Sequence, residues 1–435
     1  MGFRIQIFLL FACLPLFSEE PEVLAPYRGP SNKGVNCKTL DGKVMVGYQG
    51  WFSTKGDSLG RGWGHWAKNR HQPFGPGNVT VDLWPDMTEY PSSVRYETGF
   101  KLADGSPAAV FSSIDKATVM KHFQWMREYG LDGAFIQRFA NGLKRVDSKS
   151  HKDLVLSHVR EAANRNGRAY AVMYDLSGIP AGGSEWVWQD WQELRKKMDI
   201  TGDPAYLKHK GKPLVSIWGV GFDDYKPRDY TIEECLQLVE KLKKEGCAVM
   251  LGVPTGWRSL DRDSVTDEKL HDIIKLADVV SPWTIGRYRD EKSVANHKDK
   301  CLVPDMKWCR ENGVDYLPVV FPGFSWFNLH GDELNAIPRE GGQFLWSQIV
   351  AAKEAGARMI YVAMFDEVDE GTAIFKCTND VPVGEGVKFL TYESKDPDHY
   401  LRVIGTGRLM LRGKLPVIKE LPKKLVERGR PNLAR

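Results

Sequence analysis

The sequence predicts an α/β protein, a (β/α)8 TIM barrel with a long Trp-rich loop after its first strand. Two observations carry this: eight short apolar runs without polar alternation, and a helical or long crossover segment after each. Such runs are strands buried on both faces in a parallel sheet, and eight units of this kind in one chain close into a barrel. A doubly wound sheet is the structural alternative. It calls for a glycine-rich phosphate turn after the first strand, and the sequence has none there.

Residues 3–17, FRIQIFLLFACLPLF, place one arginine ahead of an apolar run too short to span a bilayer. Residues 1–18 therefore read as a signal peptide and the protein as secreted or periplasmic. A lipoprotein anchored through Cys13 is the alternative, although bulky Phe11 stands where small residues are usual. Residues 19–42, polar and rich in Pro, Gly and Asn, form a lead-in. The barrel domain spans 43–412, and 413–435 is a basic tail containing proline.

The first strand, 44–48, ends in Gln49-Gly50-Trp51-Phe52. Residues 53–114 then lack helical pattern and are loaded with Gly, Pro and Trp, including His65, Trp66, Trp84 and Asp86. A loop of that length in a compact domain is usually functional, and it would also cap one end of the barrel. From Asp115 the rhythm is regular: helix 115–129 behind an Asp cap, strand 133–138, helix 151–165, strand 169–175, helix 184–198 and strand 212–218. A helix opened by Thr231, with Glu233 and Glu234 in its first turn, leads to strand 247–253, which breaks at Pro254. Helix 266–276, strand 278–283, helix 294–312, strand 316–322, helix 342–355, strand 359–365 and a closing helix 398–412 complete the pattern.

The 60 basic and 56 acidic residues nearly balance and are scattered until the tail, which speaks against nucleic-acid binding. No later stretch is apolar enough to span a membrane, and a monomer is expected. Fourteen tryptophans and 15 tyrosines are what stacks on sugar rings when they surround a cleft, so the expected partner is an oligosaccharide or polysaccharide. Seven cysteines less Cys13 leave six in the mature chain, none spaced as CxxC; no metal or cofactor is expected, and Cys37 with Cys377 is the first disulfide to test.

Barrel chemistry gathers at the C-terminal ends of strands. Those ends carry Tyr48 and Trp51, Gln137 and Arg138, Tyr174 and Asp175, Trp218, Trp257, Trp283 and Trp326. With His65, Trp66, Trp84 and Asp86 from the long loop they are the candidate substrate-binding residues. Plainer roles stand beside them: hydrogen bonding for His65, a turn for Asp86, rim plugs for Trp218 and Trp283. The last strand delivers MFDEVDEGTAIFK, residues 364–376, with Asp366, Glu367, Asp369 and Glu370 close together. Crowded carboxylates raise one pKa and leave an acid beside a base. Glu367 and Glu370, three apart, would face opposite ways on a continuing strand, but Gly371 lets the chain turn and bring both over one mouth. That makes a two-carboxylate site for cleaving a glycosidic bond. A solvated acidic loop or a cation site is the alternative, though the aspartate spacing does not fit an EF-hand.

Glu367-Val368-Asp369-Glu370-Gly371-Thr372, behind its apolar strand, resembles the N-E-W-x-E-G-T signature of glycoside hydrolase family 99, the endo-α-mannosidase family, and more loosely family 71. The segment from Tyr48 to Phe52 resembles that family's aromatic first-strand motif. The resemblance implies a retaining, endo-acting hydrolase of an α-linked, α-mannoside-like glycan. It makes Glu367 the base on the sugar's own 2-hydroxyl, through a 1,2-anhydro intermediate, and Glu370 the acid/base on the leaving oxygen. Asp366 stands where the family has Asn, and Val368-Asp369 replace its aromatic and the following residue. The added carboxylate at 369 is expected to push Glu370 upward. The alternative functions are a non-catalytic carbohydrate-binding barrel and a hydrolase using a cation held by the acidic cluster.

Overall fold

The computed structural model describes residues 22–223 and 228–432, so the predicted signal peptide lies outside the described residues. Strand β1 (Val44–Tyr48) is followed by a hairpin of β2 (Tyr96–Lys101) and β3 (Pro107–Val110), then by α1 (Lys116–Tyr129). Alternation follows: β4 (Gly133–Phe139), α2 (Val146–Asn166), β5 (Ala169–Asp175), α3 (Ser184–Met198), a short β6 (Lys208–His209), β7 (Lys212–Trp218), α4 (Ile232–Lys244), β8 (Ala248–Val253), α5 (Lys269–Leu276) and β9 (Val279–Pro282). Helices α6 (Glu291–His297) and α7 (Val303–Asn312), joined by a π-helical stretch, lead to β10 (Asp315–Tyr316) and β11 (Val319–Val320). Helices α8 (Phe327–His330) and α9 (Gln343–Glu354) precede β12 (Ile360–Val362), and α10 (His399–Leu411) follows it.

All eight predicted strands are present, the seventh in two pieces. Parallel pairing runs β1-β4-β5-β7-β8-β9-β10 on one side and β1-β12-β11 on the other. β10 pairs β9, with Tyr316 opposite Val280, while β11 pairs β12, with Val319 opposite Tyr361. Between the pieces stands Pro318, which has no N–H to give a ladder; its carbonyl accepts from Tyr361 N at 2.9 Å. One stretch of chain thus serves both edges and the ring closes, which excludes the doubly wound alternative.

The long segment after β1 is structured by its own aromatics. Trp66 and Trp84 are buried, their indole N–H groups donating to Phe111 O (3.2 Å) and Ala109 O (3.1 Å), and Phe74 stacks on Trp84. The segment anchors over the C-terminal end of the barrel, where Asp82 N and Leu83 N both donate to Val368 O.

Helix ends follow their local chemistry. Thr231 and Glu234 form the capping box over α4 that the sequence predicts. Asp115 precedes α1 as expected, but its carboxylate accepts from Tyr96 OH (2.9 Å) and does not cap. α2 begins five residues before the predicted start: Arg145 offers no capping side chain and Val146 is exposed, so neither marks the boundary. The six described cysteines are free thiols, and the anticipated Cys37–Cys377 link is not formed. Cys37 sits in the lead-in, its carbonyl holding Lys208 N beside β6, whereas Cys377 pairs with Pro85 in the long segment. No helix among the described residues is long and apolar enough to cross a membrane.

The N-terminal end of the barrel is tied to α10 through Asp132. This fully buried carboxylate accepts from Val44 N (2.9 Å) and pairs with Arg412 (2.9 Å) and Arg408 (3.4 Å). Removing one partner of a buried ion cluster strands the rest, so Asp132→Ala is expected to lower stability by about 3–5 kcal/mol in urea unfolding. An unchanged midpoint would contradict this role.

Candidate active site

Beyond β12 the chain folds back over the barrel mouth. Thr372 N and Ala373 N bond Glu367 O at 3.2 and 3.0 Å, and Ile374 N bonds Met364 O at 3.1 Å. Gly371 makes this turn at φ +64°, a conformation strained for L side chains, and a Cβ there would lie 3.0 Å from Ser325 N. Ser325 N in turn bonds Glu370 O (3.0 Å), and Arg339 donates to Gly371 O and Ala373 O, both at 2.7 Å. Glu367 and Glu370 therefore share one turn.

Asp366 clasps the last strand to the first: its carboxylate oxygens accept from Gln49 N (2.8 Å) and Gly50 N (2.9 Å). Burial pushes this carboxyl up to about 7 against those donors. The clasp holds Gln49 so that its side-chain amide donates to Glu367 Oε1, while Thr372 Oγ1 donates to Oε2 at 2.5 Å. Neither Gln49 nor Thr372 is among the sequence-predicted site residues. The signal for Gln49 was its amide at the end of the first strand.

Burial dominates the electrostatics. It raises Glu367 well above the usual carboxylate range, reinforced by Glu370 and Asp369 and opposed by the Thr372 and Gln49 donors. It also raises Glu370, reinforced by Asp369 and opposed by the Trp326 indole. Asp175, at the end of β5, is pushed up to about 6 by burial despite the Ser177 N–H. Asp369 is raised too, and its Oδ2 lies 3.1 Å from His65 Nδ1. His65 stacks on Trp51 with ring centroids 3.9 Å apart; desolvation against the cleft wall, and then the cations Lys152, Arg61 and Arg70, pull its imidazole below the usual histidine range.

The structure brings Trp51, His65, Gln137, Asp175, Trp218, Trp283 and Trp326 to the mouth. Gln137 donates to Tyr361 OH (3.0 Å) on its floor, and Trp283 lies edge-on to Trp218 at 5.5 Å. The other predicted residues lie away from the mouth. Side chains alternate along a strand, so at each end only one of two neighbours can face in. Gln137 does, and Arg138 turns outward to Asp190 (2.5 Å) and Asp153 (2.9 Å). Asp175 does, and Tyr174 turns outward to Asp190 at 2.7 Å. Tyr48 is buried against His122 (2.9 Å) on α1. Trp257 packs on Trp308, Trp66 and Trp84 belong to the core of the long segment, and Asp86 holds Thr88 N in a turn. Among the described residues, no group of three or more His, Cys, Asp or Glu is arranged to hold a metal ion.

Two solved structures of the family 99 endo-α-mannosidase from Bacteroides thetaiotaomicron, one in complex with bis-tris-propane, are similar to this chain. Their TM-scores are 0.59 and 0.61, each at 16% identity, over 86% of this chain and 99% and 98% of theirs. The fold is shared with that enzyme. At that identity the likeness is one of fold. No protein-family model matches the chain, and no curated protein matches it in sequence.

A raised carboxyl holds a proton in the folded state that the unfolded chain, with a glutamate pKa near 4.3, releases. The stability it contributes is complete below about pH 4 and is lost as pH rises through the folded value. Glu370→Gln removes one such group, so the variant is expected to melt about 2 °C or more above wild type at pH 8 and close to it at pH 4. An equal difference at both pH values would contradict the burial argument.

Proposed function

We propose that this chain is a secreted, retaining glycoside hydrolase that cleaves an α-linked, mannoside-like glycan internally. The observation that most supports this is the placement of Glu367 and Glu370 on one turn at the mouth of the barrel, in an environment that favours a proton on the pair. The oxygens of Asp366 and Glu367 are already engaged by N–H and O–H donors, which argues against the acidic cluster as a cation site.

In this reading Glu370 starts protonated and gives its proton to the glycosidic oxygen as that bond breaks. Glu367 starts ionised, the form its Gln49 and Thr372 donors favour, and takes the proton from the sugar's 2-hydroxyl. That oxygen attacks C1, giving the 1,2-anhydro sugar. Water then opens the intermediate at C1, losing its proton to Glu370 while Glu367 returns its own to the 2-oxygen. Two inversions give net retention, and the pair carries one proton throughout. Trp51, Trp218, Trp283 and Trp326 supply apolar faces for sugar rings.

Mass spectrometry of products from α-mannans, α-glucans and sulfated or mixed plant polysaccharides tests the proposal. Wild type is expected to release oligosaccharides, and Glu370→Gln to lower kcat by about 10²–10⁴-fold with KM little changed. Glycan binding by wild type without any product would overturn it in favour of a binding barrel.

A further inference from the structure

Beside the acidic mouth lies a cavity of opposite character. It opens between the ends of β1 and β4 and the first turns of α2 and holds about 320 Å³. It adjoins the carboxylate pair through Gln49, which donates to Glu367, and through His65, which bonds Asp369. Arg61, Arg70, Arg145 and Lys152 line it, and no aspartate or glutamate does. In a chain with 60 basic and 56 acidic residues this is local charge separation, not composition.

The cations are thinly compensated. Arg61, with a side chain only 14% exposed, meets Asp147 at 3.5 Å, and its Nε has no hydrogen-bond partner. Asp147 is itself 47% exposed and shared with Arg145 at 3.1 Å. Arg70 Nε donates to the Arg61 carbonyl and Lys152 Nζ to Ser148 Oγ, both at 2.7 Å, so these two bond neutral groups. Burial and the charges of Arg138, Arg61 and Arg145 push the Lys152 ammonium down to about 8, leaving it charged at neutral pH. Arg145, Ser148 and Lys152 come from the start of α2, which has no side-chain cap and adds partial positive charge. Four cations that share one half-exposed carboxylate, three of them partly buried, are unfavourable unless an anion arrives.

The cavity also has a place for a sugar. His151, 3% exposed, lines it; its Nε2–H donates to Gly50 O at 2.8 Å, which leaves Nδ1 an acceptor without a partner. A hydroxyl would satisfy it.

We infer that the glycan is anionic, and that a sulfate ester or uronate carboxylate on a sugar near the scissile bond is held in this cavity by Arg61, Arg70 and Lys152. Both groups are oxyanions that guanidinium and ammonium donors bind through charge-assisted hydrogen bonds. The statement that this glycan is also cleaved rests on the proposed glycosidase activity; the binding does not.

Calorimetric titration of the mature protein with methyl α-D-mannopyranoside, its 6-sulfate and D-glucuronic acid separates the two. An anionic sugar is expected to bind at least about tenfold tighter than the neutral one, with a preference that shrinks in salt. Lys152→Gln and Arg61→Gln, each checked for an unchanged fold by circular dichroism, are each expected to reduce that preference about tenfold. Preference for the 6-sulfate alone or the uronate alone supports the inference and names the anion. Equal binding of all three sugars, no binding of either anion, or a preference untouched by both substitutions would overturn it. Anion preference without product from any polysaccharide would keep this inference and sink the glycosidase reading. Products from neutral mannan without anion preference would do the reverse.

Discussion

The geometry of the site hangs on the two hydrogen bonds by which Asp366 holds the backbone of Gln49 and Gly50. They join the last strand of the barrel to the first at the end where chemistry gathers, and both donors are backbone groups whose positions β1 sets. With that joint made, the Gln49 amide is aimed at Glu367, and the turn through Gly371 swings Glu370 back over the same opening. An asparagine at 366 would offer one acceptor oxygen where the carboxylate offers two, so the departure from the family 99 motif at this position has a structural use here.

The same burial that makes the clasp rigid makes the carboxylates above it poor anions. Asp366, Glu367, Asp369 and Glu370 all sit where water is scarce, and each is raised first by burial and only then by its neighbours or against its donors. Hydrogen bonds separate their behaviour. Glu367 receives a hydroxyl and an amide donor, which favour its charge, whereas Glu370 has only the Trp326 indole beside it. In the proposed mechanism these different donor sets on two coupled carboxyls make Glu367 the base and Glu370 the acid. The cationic cavity a few side chains away adds a second contrast, with His65 and Gln49 standing between the two.

The barrel was legible because strands buried on both faces leave uninterrupted apolar runs, and β1, β8 and β12 are such runs. The hairpin was not, since β2 is half exposed and its YETGFK sequence lies among glycines and prolines that read as loop. The Glu367–Glu370 pair was legible as a motif because the two residues lie three apart on one turn closed by Gly371. Arg138 and Tyr174 misled because sequence places a residue at a strand end without saying which face it takes, and one residue of register decides between cleft and helix layer. Lys152 and His151 escaped notice because α2 begins without a cap signal, so the sequence reading put both at the helix start and not on a face turned to the mouth. Arg61 and Arg70 lie in the long segment, where no periodicity sets direction.

The central claim is that the Glu367–Glu370 pair holds one proton at neutral pH. Infrared difference spectroscopy of wild type against Glu367→Gln and Glu370→Gln at pH 7 tests it directly. The account predicts a protonated-carboxyl stretch in wild type that disappears in Glu370→Gln. A spectrum showing only ionised carboxylates at these two positions would contradict it.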